Sequence, residues 1–289
     1  MNLEQFLHER GEQLIRSGRE WRMASDHSVT IRGNEWYDHA NGEGGGPISF
    51  VRRLYGVDYV GAMQMLLDER IEYVPMHRSE PHSPKPFELP PRNSDMRRVF
   101  AYLCKERRIS QSVVAHFVHE GTLYEDAKYH NCVFVGKDEN GIPRHAHKRS
   151  TNGNGKALRL NAEGCDPRYS FHHIGTSDVL FVFEAPIDML SYITLNPTDW
   201  KRHSYMACCG TSSRPVEWMI EHLPNVGRVF LCLDGDHAGR MATDRMSKLL
   251  TDMVKEVDVL VPHRKDWNED LVQITLQKEV HEPRMSFQY

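Results

Sequence analysis

Arg228-Val229-Phe230-Leu231-Cys232-Leu233-Asp234-Gly235-Asp236-His237-Ala238-Gly239-Arg240 is the stretch on which the fold turns. An apolar run ends on two carboxylates one glycine apart, and a helical pattern follows at once. Alternate residues of an extended chain point the same way, so both acids can face one pocket. The glycine between them permits a sharp turn. Two like charges that close repel unless a cation sits between them. A hard, oxygen-seeking divalent ion such as magnesium or manganese is the natural occupant. Taken alone, an Asp-Gly-Asp is more simply a solvated strand-to-helix turn with an acidic N-cap.

Its context changes that reading. Upstream lies Val179-Leu180-Phe181-Val182-Phe183-Glu184-Ala185-Pro186-Ile187-Asp188, a second apolar run ending on an acid, with a proline suited to a first helical turn. Asp188 falls one helical turn after Glu184. Downstream, Val257-Asp258-Val259-Leu260-Val261-Pro262 is followed by Lys265-Asp266-Trp267-Asn268. Three strands, each ending on acids and followed by a helical pattern, predict a parallel α/β sheet. Ligands in such sheets bind beyond the carboxyl ends of the strands. The acids therefore converge on one edge, which favours metal binding over the solvated turn.

Glu184 with Asp188, then Gly210-Thr211, then Asp234-Gly235-Asp236 with Ala238-Gly239 resemble the toprim domain shared by topoisomerases and bacterial-type primases. Lys265-Asp266-Trp267-Asn268 resembles its third acidic motif, which in the replicative primase carries two acids separated by one residue. Asn268 stands at the second of those positions, implying a weaker hold on a second or third metal. The resemblance implies Mg2+ or Mn2+ bound by Asp234, Asp236 and Asp266. Glu184 serves as ligand or general acid/base, and Asp188 orients it or binds metal through water. Glu184, Asp234 and Asp236 are the expected catalytic residues. Gly239 and Ala242 are expected to let the helix lie close to the sheet.

The chain of 289 residues has room for about two domains. Its net charge of −4 provides no overall basic field for nucleic acid, so such binding needs a local patch. The six cysteines, 104, 132, 165, 208, 209 and 232, form no C-x-x-C pair and read as buried thiols of a cytoplasmic protein, not zinc ligands. No apolar run has membrane-spanning length, and the first residues do not resemble a signal peptide. The adjacent His172 and His173 would point opposite ways on a strand, so they read as scattered surface residues.

Prolines at 75, 81, 84, 86, 90 and 91 mark an extended linker, and set the expected division: a module over 1–74, a linker over 75–95, a basic subdomain over 96–175 and a toprim domain over 176–289. In the first module, Ser17–Arg22, Asp26–Ile31 and Asn34–Tyr37 read as short strands. Gly42–Pro47 leads into a helix with Ile48, Val51, Leu54 and Tyr55 on one face. This is similar to the zinc-binding β-ribbon at the front of bacterial primases, but residues 1–103 contain no cysteine. Asp38, His39 and Asn41 stand where cysteine ligands are expected. No zinc is therefore expected, and Trp21, Trp36 and Tyr37 are expected to form a small aromatic core instead. Zinc-less variants of this kind resemble primase-like proteins of conjugative and plasmid elements. The glycine run lacks the Lys-Ser/Thr of a phosphate loop and reads as a turn.

In the middle segment, Asp95–Leu103 and a stretch from Arg107 to Val118 read as helices. Asn131–Val135 reads as a strand, and Asp138-Glu139-Asn140-Gly141 as a hairpin turn. The returning strand carries Arg144, His145, His147, Lys148 and Arg149, with Lys156 and Arg159 beyond. Arg144 and Lys148 share one face; His145, His147 and Arg149 share the other. This order resembles the first half of a primase core, whose basic ridge tracks the template and whose arginine meets the incoming nucleotide. Arg149 and Lys156 are the leading candidates for phosphate contacts. Arg240 either reaches a phosphate or pairs with Asp236. The opposing explanation is a basic edge strand that blocks aggregation.

The expected fold is therefore α/β: a toprim-type parallel sheet, preceded by an α+β primase-core subdomain and a small zinc-less β-ribbon/helix module. Three functions stay open. One is a primase making short oligonucleotides on single-stranded DNA from nucleoside triphosphates, working with a helicase or relaxase of a plasmid or mobile element. The second is a toprim nuclease, and the third a nucleic-acid-binding accessory protein with weakened catalysis.

Overall fold

A computed structural model describes residues 3–18, 20–40, 43–57, 62–63, 65–66, 86–152, 158–210 and 212–281. The chain divides into two compact units, Met1–Ser83 and Pro84–Tyr289.

In the first unit, α1 (Leu3–Glu9) precedes an antiparallel meander of β1 (Leu14–Ser17), β2 (Glu20–Met23), β3 (Val29–Arg32), β4 (Glu35–Asp38) and β5 (Glu43–Gly45). Helix α2 (Pro47–Tyr55) follows, with Pro47 in its first turn, where a missing N–H is harmless. Leu3, Phe6, Leu7, Met23, Ile31, Trp36, Phe50 and Val51 form the core. The expected aromatic core is only partly realised. Trp36 is buried and its indole N–H donates to Ser49 Oγ at 2.9 Å. Trp21 packs at the margin, and Tyr37 is 45% exposed, because it alternates with Trp36 onto the opposite face of β4. Leu54 and Tyr55 are likewise exposed, and Phe50 and Val51 carry the helix's buried face.

Asp38, at one of the positions expected for a zinc ligand, is fully buried. It accepts from Ser28 Oγ at 3.0 Å and from the Ala40 amide at 2.8 Å, and it pairs with Arg53 of α2. His39 meets Thr30 Oγ1 at 3.1 Å. The ion pair thus ties β4 to α2, while the hydrogen bonds from Ser28 and Ala40 hold the Asp38 carboxylate in place. Asn41 lies outside the described residues.

The second unit holds two sheets. Helix α3 (Arg97–Phe100) runs into a π-helical turn, Ala101–Glu106, and then into α4 (Gln111–His119). Strands β6 (Leu123–Glu125), β7 (Cys132–Lys137), β8 (Pro143–Arg149) and β9 (Arg159–Asn161) form an antiparallel sheet in that order. The β7–β8 turn forms as its sequence predicts. Asp138 Oδ1 accepts from the amides of Asn140 and Ile142 at 3.0 and 2.9 Å, and Gly141 takes the left-handed φ of 74°. The later part of the proline-rich stretch is docked on this sheet, not extended away from it. Pro90 O accepts from Tyr124 OH at 2.6 Å, and Pro91 O from the Ala127 amide at 2.8 Å.

The second sheet is ordered β10 (His172–His173), β12 (Ser204–Ala207), β11 (Val179–Phe183), β13 (Arg228–Leu231) and β14 (Glu256–Val259). The last four strands are parallel, as expected, and β10 is antiparallel at the edge. Helices α5 (Pro186–Leu195), α6 (Arg214–His222), α7 (His237–Leu250) and α8 (Trp267–His281) complete the layers. His172 and His173 are therefore strand residues, not scattered surface ones. His173 packs against Trp200, and His172 against Trp218. Phe117 and Phe134 share one core with Phe171, Phe183 and Leu190, so the antiparallel and parallel sheets are fused through a common apolar interior.

Candidate functional site

The three acid-bearing turns follow three adjacent parallel strands, β11, β13 and β14. Glu184 stands just beyond β11, and Pro186 then starts α5, which places Asp188 in its first turn. Asp234 and Asp236 follow β13, and Asp236 caps α7 by accepting from the Gly239 amide at 3.0 Å. Gly239 is required there: a Cβ would lie 2.1 Å from the Asp234 carbonyl oxygen. The third turn, after β14, is brought in by backbone pairing, since the Gly235 amide donates to Lys265 O at 2.8 Å. Asp270, which sequence reasoning passed over, fixes that loop by accepting from the His263 and Arg264 amides at 2.7 and 2.9 Å. Asp266 caps α8 through the Glu269 amide at 2.8 Å. Gly210 joins the edge by donating to Glu184 O at 3.2 Å; Thr211 lies outside the described residues.

The crowding shows in the electrostatics. Burial, then Asp188, Glu184, Asp266 and Asp236, pushes the Asp234 carboxyl up to about 8. Burial and then Asp266 raise Asp188, 6% exposed, to about 7. Glu184 is raised by burial and then by Asp236, with Arg159 and Lys265 opposing. Asp234 Oδ1 is buried without a hydrogen-bond partner. A carboxylate oxygen so placed has lone pairs that nothing in the protein satisfies. Among the described residues, no three His, Cys, Asp or Glu side chains already stand in a metal-coordinating arrangement. The donor set is nonetheless all oxygen, and with the orphaned Asp234 Oδ1 it fits a hard divalent cation.

Asn268, at the second position of the third acidic motif, lines a cavity with Asp188 and Asp266, and its side chain is engaged by protein partners. It is buried, its amide donates to Asp188 Oδ1 at 3.2 Å, and its Nδ2 donates to Ser191 Oγ and to Arg107 O, each at 2.9 Å. Its Oδ1 accepts from Arg107 at 3.1 Å. The side chain is a clamp between helices.

Beside Asp188 and Asp266 is a cavity of about 30 Å3, whose lining also includes Arg107, Arg149, Arg159, Asn268 and the apolar Phe134 and Ile187. The basic ridge expected along β8 is divided. Arg149 and Arg159 reach this cavity, but Arg144 sits at the far end of the strand, paired with Asp138 at 2.8 Å. Lys148 lines a separate groove with Pro86, Tyr129 and Glu163. Arg240 turns back to the Gly235 carbonyl and does not pair with Asp236. Lys156 lies outside the described residues. Nor is β8 an edge strand, since β9 pairs with it, so edge protection does not explain its cations. His145 and His147 add no positive charge, because burial lowers them to about 3 and about 4. Arg107 and Tyr102 went unseen because their spacing, i to i+5, brings side chains together on a π turn and not on an α-helix.

Residues 181–271 match the family model described as Toprim-like, and residues 101–177 match a domain of unknown function, DUF3991. The chain is 27% identical over 299 residues to the uncharacterized protein pXO2-78 of Bacillus anthracis, covering 92% of this chain and 85% of that one. Among solved structures it is similar to the primase fragment of the bacteriophage T7 primase-helicase protein, with 14% identity, TM-score 0.47, and coverage of 89% and 94% of the two chains. It is similar also to the Aquifex aeolicus primase comprising zinc-binding and RNA polymerase domains, with 15% identity, TM-score 0.42, and coverage of 95% and 80%. At these scores no residue role transfers. The acids at the carboxyl edge of the parallel sheet, together with the family match, place a Toprim-like domain at residues 181–271 of this chain.

Proposed function

We propose that this protein is a primase-like nucleotidyltransferase, joining nucleotides into short oligonucleotides on single-stranded DNA with the help of Mg2+ or Mn2+. The observation that carries the reading is the buried Asp234 Oδ1, without a hydrogen-bond partner and crowded by Asp188, Glu184 and Asp266, of which Asp188 and Asp266 share a cavity with Arg107, Arg149 and Arg159. Phosphoryl transfer needs both kinds of group: acids to hold metal ions, and fixed cations where phosphate charge develops. Divalent ions held by Asp234, Asp236, Asp266 and Glu184, with Asp188 behind them, would supply charge neutralisation of the phosphates and acidification of an attacking hydroxyl.

The chain's own residues do the rest. Glu184, raised by burial and then by Asp236, stands where it can take a proton from a 3′-hydroxyl. Arg149 and Arg159 hold phosphate oxygens across the cavity. The plasmid origin of the Bacillus anthracis relative supports a role in plasmid or mobile-element replication in the cytoplasm, beside a helicase or relaxase.

The test is incubation of the protein and its Asp234→Asn variant with single-stranded DNA, labelled nucleoside triphosphates and Mg2+ or Mn2+. New short oligonucleotides from the parent alone support priming. Template fragments would instead make it a nuclease, and neither product would make it an accessory protein.

A further inference from the structure

We propose that the first unit carries a docking groove for an arginine-bearing segment of a partner protein, built from Trp21, Leu14, Glu4 and Glu12. The groove belongs to the unit that holds none of the acidic edge, so it does not rest on the nucleotidyltransferase reading.

Helix α1 ends in a hydrogen-bonded reversal. The Glu12 amide donates to Leu7 O at 3.0 Å and the Gly11 amide to His8 O at 3.1 Å, with Gly11 at a left-handed φ of 80°. This is the glycine cap that stops a helix and redirects the chain. It leads into β1, which pairs with β2 so that Arg16 stands opposite Trp21. Residues of α1, β1 and β2, with the cap between them, line a groove of about 660 Å3. Small-ligand sites commonly span about 300–1,000 Å3, so the groove is large enough to take whole side chains.

The chemistry of the groove has one sign. Glu4 and Glu12 line it, and no lysine or arginine does. Glu4 Oε1 accepts from the Gly33 amide at 3.2 Å, and Glu12 Oε1 from the Ser25 amide and hydroxyl at 3.0 and 2.8 Å. Among the described residues neither carboxylate has an ion-pair partner, and neither Oε2 has a hydrogen-bond partner. Both acids are thus anchored by one oxygen with their charge left unneutralised. Trp21 is half-buried, and its ring already carries the Arg16 guanidinium 5.4 Å from its centroid. Indole is the strongest aromatic partner for a cation. Two carboxylates repel nucleic-acid phosphate, and an apolar ligand would desolvate them without compensation. Nor does a metal ion fit, since among the described residues no three His, Cys, Asp or Glu side chains stand in a coordinating arrangement. A guanidinium meets every demand: it stacks flat on indole, grips a carboxylate at two points, and lays its hydrocarbon stem on Leu14. Two separately anchored acids call for two cations, which one peptide segment supplies and a single small cation does not.

Calorimetry on the full chain tests this with three probes: an acetylated and amidated Gly-Arg-Gly-Arg-Gly peptide, the same peptide with neutral citrulline at both arginines, and a single-stranded oligodeoxynucleotide. The arginine peptide should bind one to one, and the citrulline peptide at least about fivefold more weakly, as loss of exposed ion pairs dictates. Glu4→Gln with Glu12→Gln keeps the acceptors for Gly33 and Ser25 and should weaken the arginine peptide about fivefold at an unchanged melting temperature. Trp21→Leu should weaken it about twofold to fivefold. Glu35→Gln with Glu139→Gln removes two exposed charges that do not line the groove and should leave affinity as it is. Absence of saturable peptide binding, or equal affinity for the citrulline peptide, overturns the groove. So does an equal loss in the Glu35 and Glu139 variant, which would reduce binding to a general charge effect. If Trp21→Leu weakens the oligonucleotide and spares the peptide, the indole stacks on bases and the partner assignment is overturned.

Discussion

The backbone amide of Asn268 donates to Oδ1 of Asp188 at 3.2 Å, while its carboxamide reaches Arg107 and Ser191. One residue therefore links α8 to α5 and to the end of the π turn. Asparagine suits the place because its two donors and its acceptor are all used. An aspartate would turn lone pairs toward the Arg107 carbonyl and set a second charge beside Asp188. Asn268→Asp should lower stability by roughly 1–3 kcal/mol, the cost of leaving buried donors and acceptors unmatched. Denaturant unfolding with and without Mn2+ checks this. A variant of unchanged stability that binds Mn2+ more tightly would show that position 268 faces the metal after all.

Asp234→Asn separates metal binding from folding. The Asp234 carboxyl is raised to about 8 in the folded chain from an ordinary 3.8. Its contribution to stability is therefore fully present below 3.8 and is lost as pH rises through about 8. The asparagine variant carries no such loss. In chelator its melting temperature should gain on the parent as pH is raised from 5 to 9, while its further gain on adding Mg2+ should shrink. Parallel pH profiles for the two proteins would contradict the crowding seen around Asp234.

His145 and His147 act in the opposite sense. Burial lowers them from 6.5 to about 3 and about 4, so the unfolded chain takes up protons that the folded chain refuses. Their contribution is complete above 6.5 and falls away as pH drops toward 4. Neither ring nitrogen of His145 has a hydrogen-bond partner. His145→Phe should thus flatten the acid limb of a urea-midpoint profile between pH 6.5 and 4. An unchanged slope would place a proton on the buried ring.

The acidic edge was legible because strand ends, turns and helix starts are local, and Asp234, Asp236, Glu184 and Asp266 all sit where a short window places them. What remained hidden depends on distance along the chain or on irregular backbone. Arg149 meets Tyr102 across 47 positions, and Asn268 meets Arg107 across 161. No periodicity marks such pairs. The division of the β8 cations was equally invisible. Alternation sorts residues by face, but Phe87 and the proline segment decide which face stays open, and β9 decides that the edge is closed. Tyr37 was misplaced for a simpler reason: alternation puts it opposite Trp36, and that rule outweighs aromatic character.

Asp38 and Arg53 supply a test in the first unit. Asp38 is fully buried, whereas the Arg53 side chain is about a third exposed. Arg53→Met removes the ion pair from a buried carboxylate that also accepts from Ser28 and the Ala40 amide. It should destabilise that unit toward the lower end of the roughly 3–5 kcal/mol seen for broken buried pairs. Limited proteolysis of the whole protein should then open residues 1–83 first, with cleavage of the remainder unchanged. Equal protease resistance in parent and variant would mean that the Arg53 ion pair is not what holds Asp38.

Single-stranded DNA binding should follow the exposed cations and not the buried one. Arg159 lines the cavity beside Asp188 and Asp266, is exposed, and has no ion-pair partner among the described residues, whereas Arg149 lines the same cavity but is buried. Lys156, three positions earlier, belongs to the same Gly/Asn-rich stretch of sequence and lies outside the described residues. Each cation that neutralises a phosphate releases counter-ions, contributing about −0.7 to the slope of log affinity against log salt for a single strand. Arg159→Ala with Lys156→Ala should therefore make that slope shallower by about 1.4 and weaken binding most at low salt. Thermal stability should not change, because an exposed Arg159 carries no packing role. Arg144→Ala should leave the slope as it is, since that arginine is occupied by Asp138 at 2.8 Å. If Arg144→Ala shifts the slope and the double variant does not, the strand approaches from the far end of β8, and the acidic edge is not where the template lies.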